Sequence, residues 1–319
     1  MLGSHLVRVL LRQGWQVTAL VQAGRSTHAL EGLDVRCVEG DVLDAKALAA
    51  ASAGCGYFIH AAASTRVWPD RNPMVRQVNV AGTRNVLEVA KRAEVKRLVY
   101  VGSASSFGVP GRNRPGDERT PYDGDKYGND YISSKYAAML LAQQAAKDGL
   151  DSVIVCPTFM FGAYDAAPGS GAMILALCQG KIPGFTAGGK NYICAKDAAV
   201  GIAHALTMGR AGEAYLLGHE NLSFQEAFRK IGSVIGKPPP RLSLPPWGVL
   251  AYAYLSTGWA KQMGKPPTVT PTMAKLSNVV FHYSSAKAIR ELALPQTPIE
   301  EGIREAYDWF LANGYLTIK

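Results

Sequence analysis

Through the first 160 residues, short runs of β-branched and aromatic residues alternate with longer stretches whose apolar positions recur every three or four places. Runs at 16–21, 35–38, 57–60, 97–101 and 152–155 predict strands, and the stretches at 4–13, 45–52, 78–92 and 130–147 predict helices. The strand runs read as buried on both faces. Strands of that kind, each followed by a crossover helix, build an α/β fold with a Rossmann-like doubly wound parallel sheet. Beyond Pro157 the alternation loosens, and Pro and Gly gather at 168–171, 184–189, 238–240, 245–246 and 266–267. Helical patterns return at 195–208, 224–235, 284–292 and 298–313, predicting a smaller C-terminal region of helices and loops.

The chain opens on Met1-Leu2-Gly3-Ser4-His5-Leu6, a helix start, with no buried strand before it. In a doubly wound sheet the first strand is central. A glycine-rich turn leads from it into the first helix, whose free N–H groups and dipole hold an anionic pyrophosphate. Gly3 matches the last glycine of such a turn. The expectation is a sheet lacking its first strand, with a natural start roughly ten residues upstream. Unpaired backbone groups at such a gap cost about 1–3 kcal/mol each, and half a dozen would rival the ~5–15 kcal/mol that separates folded from unfolded chains.

Composition changes the picture little. With 48% hydrophobic and 18% charged residues, the 319-residue chain has ample material for a core. Its formal charge is +9, yet no Lys/Arg-rich run interleaved with aromatics appears, which speaks against nucleic acid as a partner. Cys37, Cys55, Cys156, Cys178 and Cys194 form no CxxC pair, and most lie in apolar runs, as reduced core thiols of a cytoplasmic protein do. No histidine has metal-ligand spacing. The segment 244–260 is broken by Pro245, Pro246 and Gly258 and is shorter than the ~20 residues of a membrane span. Its Trp247, Tyr252, Tyr254 and Trp259 read first as a buried helix stripe, and otherwise as a hydrophobic substrate wall or a peripheral membrane contact.

A tyrosine precedes a lysine by four places in Tyr122/Lys126, Tyr131/Lys135, Tyr192/Lys196, Tyr283/Lys287 and Tyr315/Lys319. Tyr131/Lys135 alone opens a long helical pattern, where that offset puts both side chains on one face. It lies downstream of a strand ending in a serine-rich turn, 101–106, that includes Ser103. A phenol with a pKa of about 10 exchanges protons poorly near neutrality, and a close ammonium lowers it. A hydroxyl at the strand end can hold a carbonyl oxygen. Ser103, Tyr131 and Lys135 are therefore the candidate catalytic residues.

With these residues assembled, nearly the whole chain resembles the extended short-chain dehydrogenase/reductase family, also called the epimerase/dehydratase family. The segment 17–21 resembles its second strand, and Gly40-Asp41-Val42-Leu43-Asp44 the segment whose first aspartate faces the adenine. His60-Ala61-Ala62-Ala63 resembles the strand end against the cofactor, and Asn79-Val80-Ala81-Gly82-Thr83 a buried helix start. Residues 157–162 resemble the stretch beside the nicotinamide, while Ser284-Ser285-Ala286-Lys287 and Asp308-Trp309-Phe310 resemble the C-terminal signature. The resemblance implies a catalytic triad of Ser103, Tyr131 and Lys135. It also implies cofactor contacts from Gly3, Arg25, Asp41, Val42, Ala61, Ala62, Ala63, Tyr131, Lys135 and Pro157. Family members often dimerise through helices of the half containing Tyr131, so a homodimer is compatible with the resemblance.

Departures narrow the branch. Ala104-Ser105 replaces the Asp-Glu pair that dehydratase members carry after the strand-end hydroxyl. Phe159 stands where sugar-nucleotide members carry Asn, and Ala163 where they carry Pro. The nearest branch is that of dihydroflavonol reductases and 3β-hydroxysteroid dehydrogenases. The second strand ends Val21-Gln22-Ala23-Gly24-Arg25-Ser26, with no acid for a ribose 2′-hydroxyl and an Arg for a 2′-phosphate, which favours NADP over NAD.

The reading is an NAD(P)-dependent oxidoreductase that passes hydride between a nicotinamide and the carbonyl or alcohol of a hydrophobic small molecule. Residues 1–160, with return elements about 190–220, would form the dinucleotide-binding domain, and 161–189 and 221–319 the substrate region. Two alternatives stay open: a nucleotide-sugar epimerase that keeps NAD tightly bound, and a non-catalytic relic of the fold.

Overall fold

In the computed structural model, residues 1–111, 114–264 and 267–316 are described, the Lys261 side chain excepted. Pro266 of the expected 266–267 break and Lys319 of the last tyrosine–lysine spacing lie outside the described residues. α1 (Leu2–Arg12) leads to β1 (Thr18–Val21), β2 (Arg36–Glu39), α2 (Ala45–Ala51) and β3 (Tyr57–His60). Then α3 (Pro73–Arg76) and α4 (Gly82–Arg92) precede β4 (Arg97–Val101), and α5 (Asp130–Lys147) precedes β5 (Ser152–Pro157). These elements match the expected strands and helices closely, except that the third helical run begins before residue 78. Pro73 occupies its first turn, Asn72 caps it, and a π-helical turn at Gln77–Ala81 joins α3 to α4.

β3, β4, β5 and β8 (Ala214–Leu217) pair in parallel in that order. The central strands bury both faces. Leu98, Tyr100, Ile154 and Cys156 pack with residues of α4 and α5, whereas Val99, Val101, Val153 and Val155 pack with residues of α1 and α7 (Ala195–Ala205). This is why their sequences show no polar alternation. β1 and β2 form a separate parallel pair. The expected sheet order puts a further strand between β1 and β3; among the described residues none lies there, and the sheet is in two pieces at that position.

The C-terminal half departs from an expectation of helices and loops by adding a small sheet. β6 (Phe159–Phe161), β7 (Gly189–Cys194) and β10 (Val280–Phe281) run parallel in the order β10–β7–β6, and β9 (Glu220–Ser223) pairs antiparallel with β7. Strands of two to six residues are too short to give a period. α6 (Ala172–Cys178), α8 (Phe224–Ile235) and α12 (Ile299–Ala312) bury Ile174, Ile231, Ile303 and Phe310 around it. α9 (Pro246–Met263), α10 (Pro271–Leu276) and α11 (Ala286–Leu292) complete the chain.

Two expectations are corrected here. Trp247, Tyr252, Tyr254 and Trp259 do not form a buried stripe: all four are exposed on α9, because its inward side is taken by smaller residues such as Ala253 and Ala260. Of the cysteines, all free, only Cys156 and Cys194 are buried, while Cys37 on the outer strand β2 is exposed. Among the described residues no helix is long and apolar enough to cross a membrane, and no cluster of potential metal ligands occurs.

Candidate active site

The site is built where β4 ends and α5 begins. After Val101 the chain must pass β5 closely at Gly102, where a Cβ would stand 2.8 Å from the Cys156 sulfur and 3.4 Å from the Tyr100 ring. Ser103 then caps a short 3-10 turn, Ala104–Ser106. Its Oγ accepts from the Ser105 amide at 3.3 Å and lies 2.9 Å from the Ser105 hydroxyl. α5 is started by Asn129, whose Oδ1 accepts from the Tyr131 and Ile132 amides at 3.1 and 3.3 Å. The Asp130 carboxylate accepts from the Asn72 amide at 2.7 Å and from Arg71 at 3.1 Å, locking the helix start to the loop after β3.

Tyr131 lies in the first turn of this helix, half-buried, and Lys135 one turn on, buried. The Lys135 amine donates to the Val101 carbonyl at 2.8 Å and sits 5.1 Å over the Tyr100 ring. The same bond ties α5 to the end of β4, and Ser103 lies close enough for its hydroxyl to influence the Tyr131 phenol. An adjacent ammonium on its own would lower that phenol. Instead burial pushes the Tyr131 pKa above its usual value, and the neighbouring Ser103 hydroxyl opposes the rise. Burial also lowers Lys135 to about 8, and its charge assists burial in holding His60 down to about 3. Burial drives Cys156 up to about 12, so it is a core thiol beside the site and not a nucleophile.

The other tyrosine–lysine spacings are spent elsewhere. Tyr122 stacks on Tyr136 at 3.9 Å and donates to Asp125, while Lys126 pairs with Asp123. Tyr192 is enclosed in the core and Lys196 pairs with Glu301 and Glu305. Tyr283 donates to the Phe107 carbonyl at 3.2 Å and Lys287 pairs with Glu213. Tyr315 donates to the Ala166 carbonyl at 2.8 Å.

Of the expected cofactor residues, Ala61, Ala62 and Ala63 follow β3 and Pro157 ends β5, at the C-terminal ends of strands, where ligands bind in open α/β sheets. Leu2 at the start of α1, Ala61 after β3 and Met160 on β6 pack on one apolar cluster. Gly3 is exposed in the first turn of α1, and a Cβ there would meet nothing within 4 Å, so the backbone of that helix start is open to approach. Ala62 is exposed and Ala63 half-buried after Ala61, and Pro157 is buried at the end of β5. At the end of β1, Arg25 donates to Gln22 at 3.4 Å and Gln22 to Asp41 at 3.0 Å, placing a guanidinium and a carboxylate on one amide. Val42 differs: its side chain is buried against α4, where a Cβ on Gly82 would come within 2.7 Å of it, leaving only its backbone for a ligand. An open helix start and these polar groups at the end of β1 fit a dinucleotide.

Further polar residues tie these elements together or flank them. Asn79, in the π-helical turn, is buried; its amide donates to Ser64 O at 3.0 Å and Ser134 Oγ at 2.9 Å and accepts from Ser64 N at 2.7 Å. Ser134 is on α5, so Asn79 joins the loop after β3 to the helix of Tyr131. π-Turns gather at functional sites. His60 Nε2 lies 2.9 Å from Thr83 Oγ1, which donates to the Asn79 carbonyl at 2.6 Å. Lys190 on β7 holds its ammonium 4.1 Å over the Phe159 ring, and burial lowers it to about 8. Asn79 and Thr83 lay within a recognised motif; nothing local marked Lys190.

A model of the family described as "NAD dependent epimerase/dehydratase family" matches residues 1–218. A Synechocystis sp. protein with a provisional dihydroflavonol 4-reductase name is 34% identical, over 98% of this chain and 93% of its own. Sterol demethylase protein B of Methylococcus capsulatus is 29% identical, over 99% and 97%. The crystal structure of gox2253 superposes with a TM-score of 0.87 at 30% identity, covering 99% of this chain and 97% of that one. The chain therefore belongs to the NAD-dependent epimerase/dehydratase family and is an NAD(P)-dependent enzyme of oxidoreductase type.

Proposed function

We propose that the chain is a carbonyl reductase or alcohol dehydrogenase acting on a hydrophobic small molecule through Ser103, Tyr131 and Lys135. A bound nicotinamide supplies or accepts the hydride at the substrate carbon. Tyr131 exchanges the proton at its Oη with the substrate oxygen, and the Ser103 hydroxyl donates to that oxygen. Lys135 and Tyr131 are placed to hold the nicotinamide end, and Arg25, Gln22 and Asp41 the adenosine end, with Arg25 favouring a 2′-phosphate. Residues 1–160, with β8 returning to the first sheet, form the cofactor half of this reading, and 161–189 with 221–319 the substrate half.

The observation that carries the proposal is the Ser103 hydroxyl against the Tyr131 phenol, with Lys135 a turn away and anchored to Val101. Ala104-Ser105 in place of an acidic pair supports reduction over dehydration, and Phe159 supports an apolar substrate. The names of the relatives, which speak of dihydroflavonol and sterol chemistry, point the same way.

Tyr131→Phe should abolish turnover of a hydrophobic ketone while leaving NADP affinity, measured by titration, largely intact. Retained turnover would remove Tyr131 from this role. NAD released on denaturing purified protein would transfer the chain to the epimerase reading.

A further inference from the structure

α9 is turned inside out. Trp247, Ala251, Tyr252, Tyr254, Leu255, Gly258, Trp259, Gln262 and Met263 are exposed, and at helical spacing they cover one half of the cylinder. The half facing the protein carries Val249, Leu250, Ala253, Ser256, Thr257 and Ala260. The most exposed of the outward side chains are Trp247 at 76%, Leu255 at 74% and Trp259 at 68%. A groove of about 840 Å³ runs beside them, lined by Leu255, Trp259, Met263 and Pro267. Contiguous apolar surface of this kind marks a place of contact.

The charge of the sequence on either side of it is equally uneven. Between residues 227 and 290 the sequence has nine Lys and Arg and no Asp or Glu, so the whole formal charge of +9 sits in this stretch and the rest of the chain is balanced. Lys230, Lys287 and Arg290 pair with acids outside it. Arg229, Lys237, Arg241 and Lys275 are exposed and, among the described residues, pair with no carboxylate.

We propose that α9 docks on an anionic lipid bilayer, lying in its surface with the ring-bearing half immersed and the flanking basic residues against the headgroups. An apolar face with aromatic residues towards both ends, in a stretch of chain whose charges are all basic, is what an interfacial helix requires. A second copy of the chain is a poorer occupant, because it would bring the same basic segment against itself. The proposal goes beyond the catalytic reading and does not rest on it. It would also give that reading a source of apolar substrate: α9 packs against α10, Thr272 of α10 donates to the Asp70 carboxylate at 2.8 Å, and the Asp70 carbonyl accepts from the Asp130 amide at 2.8 Å, next to Tyr131.

The test is flotation of the full chain with phosphatidylcholine vesicles, with and without phosphatidylglycerol. Binding should require the anionic lipid and fall with salt. Lys237→Ser with Arg241→Ser should weaken it roughly 30-fold, at about fivefold per basic side chain near the surface. Leu255→Ser with Trp259→Ser should weaken it at least about tenfold by removing immersed apolar surface. All four positions are exposed, so the melting midpoint should not move; were a variant to unfold, the lipid and salt dependence of the wild type would still decide. Equal or absent binding to both vesicles overturns the proposal, as does full retention by the Leu255/Trp259 variant. So does a dimer that Trp259→Ser dissociates in a protein that ignores vesicles, which would assign the face to self-association.

Discussion

His60 offers a test of the electrostatics around the site that needs no substrate. It is buried at the end of β3, and burial together with the Lys135 charge brings its pKa from 6.5 to about 3. The Thr83 hydroxyl has one proton, given to the Asn79 carbonyl at 2.6 Å, so it must accept from His60 Nε2–H at 2.9 Å. That fixes the neutral tautomer. Because the folded pKa is depressed, the unfolded chain binds a proton below pH 6.5 that the folded chain refuses, and stability falls with acidification from there down to about pH 3. The drop from pH 7 to pH 5 works out at about 2 kcal/mol for this one group. His60→Gln keeps an N–H donor for Thr83 and has nothing to titrate. Urea unfolding of both proteins at the two pH values isolates the term, since His5, lowered to about 4 by burial, and all carboxylates contribute equally to each. The variant should lose about 2 kcal/mol less than the wild type over that range. Parallel losses would mean that His60 is hydrated or protonated in the folded state, and the account of a dry, cation-flanked strand end would fail.

Two further outcomes follow from the geometry. Asn79→Ala removes three hydrogen bonds from a buried position and should cost about 2–4 kcal/mol in urea unfolding, with Asn79→Asp recovering only part because it lacks the amide donors to Ser64 and Ser134. Arg25→Ala should weaken NADP roughly tenfold while leaving NAD within about twofold, as expected for one exposed charge-assisted contact to a 2′-phosphate; equal loss for both cofactors would show that Arg25 serves the shared part of the molecule.

Which features the sequence made legible follows from whether their cause is local. Strands such as Ser152–Pro157 were readable because burial on two faces leaves an unbroken apolar run. That Tyr131 and Lys135 share one side of α5 is legible because a four-residue offset has a fixed meaning on a long helix. The fit of Ser103 to Tyr131 depended only on which strand precedes that helix. By contrast, the direction of the Tyr131 pKa depends on burial by the whole fold, and reasoning from the adjacent amine alone gave the opposite sign. The π-turn at Gln77–Ala81 accompanies bonds from Asn79 to Ser64 and Ser134, partners distant in sequence, and has no periodic signature. The outward face of α9 is hidden from the sequence for a different reason. Its apolar content is that of a core helix, and composition reports burial only on average. Which half faces outward is decided by the partner helix, and here the small residues won the inside, leaving Trp247, Leu255 and Trp259 in water. An arrangement that gives its largest apolar side chains to solvent adds little to the fold's own stability, so its explanation has to come from something those side chains meet outside the chain.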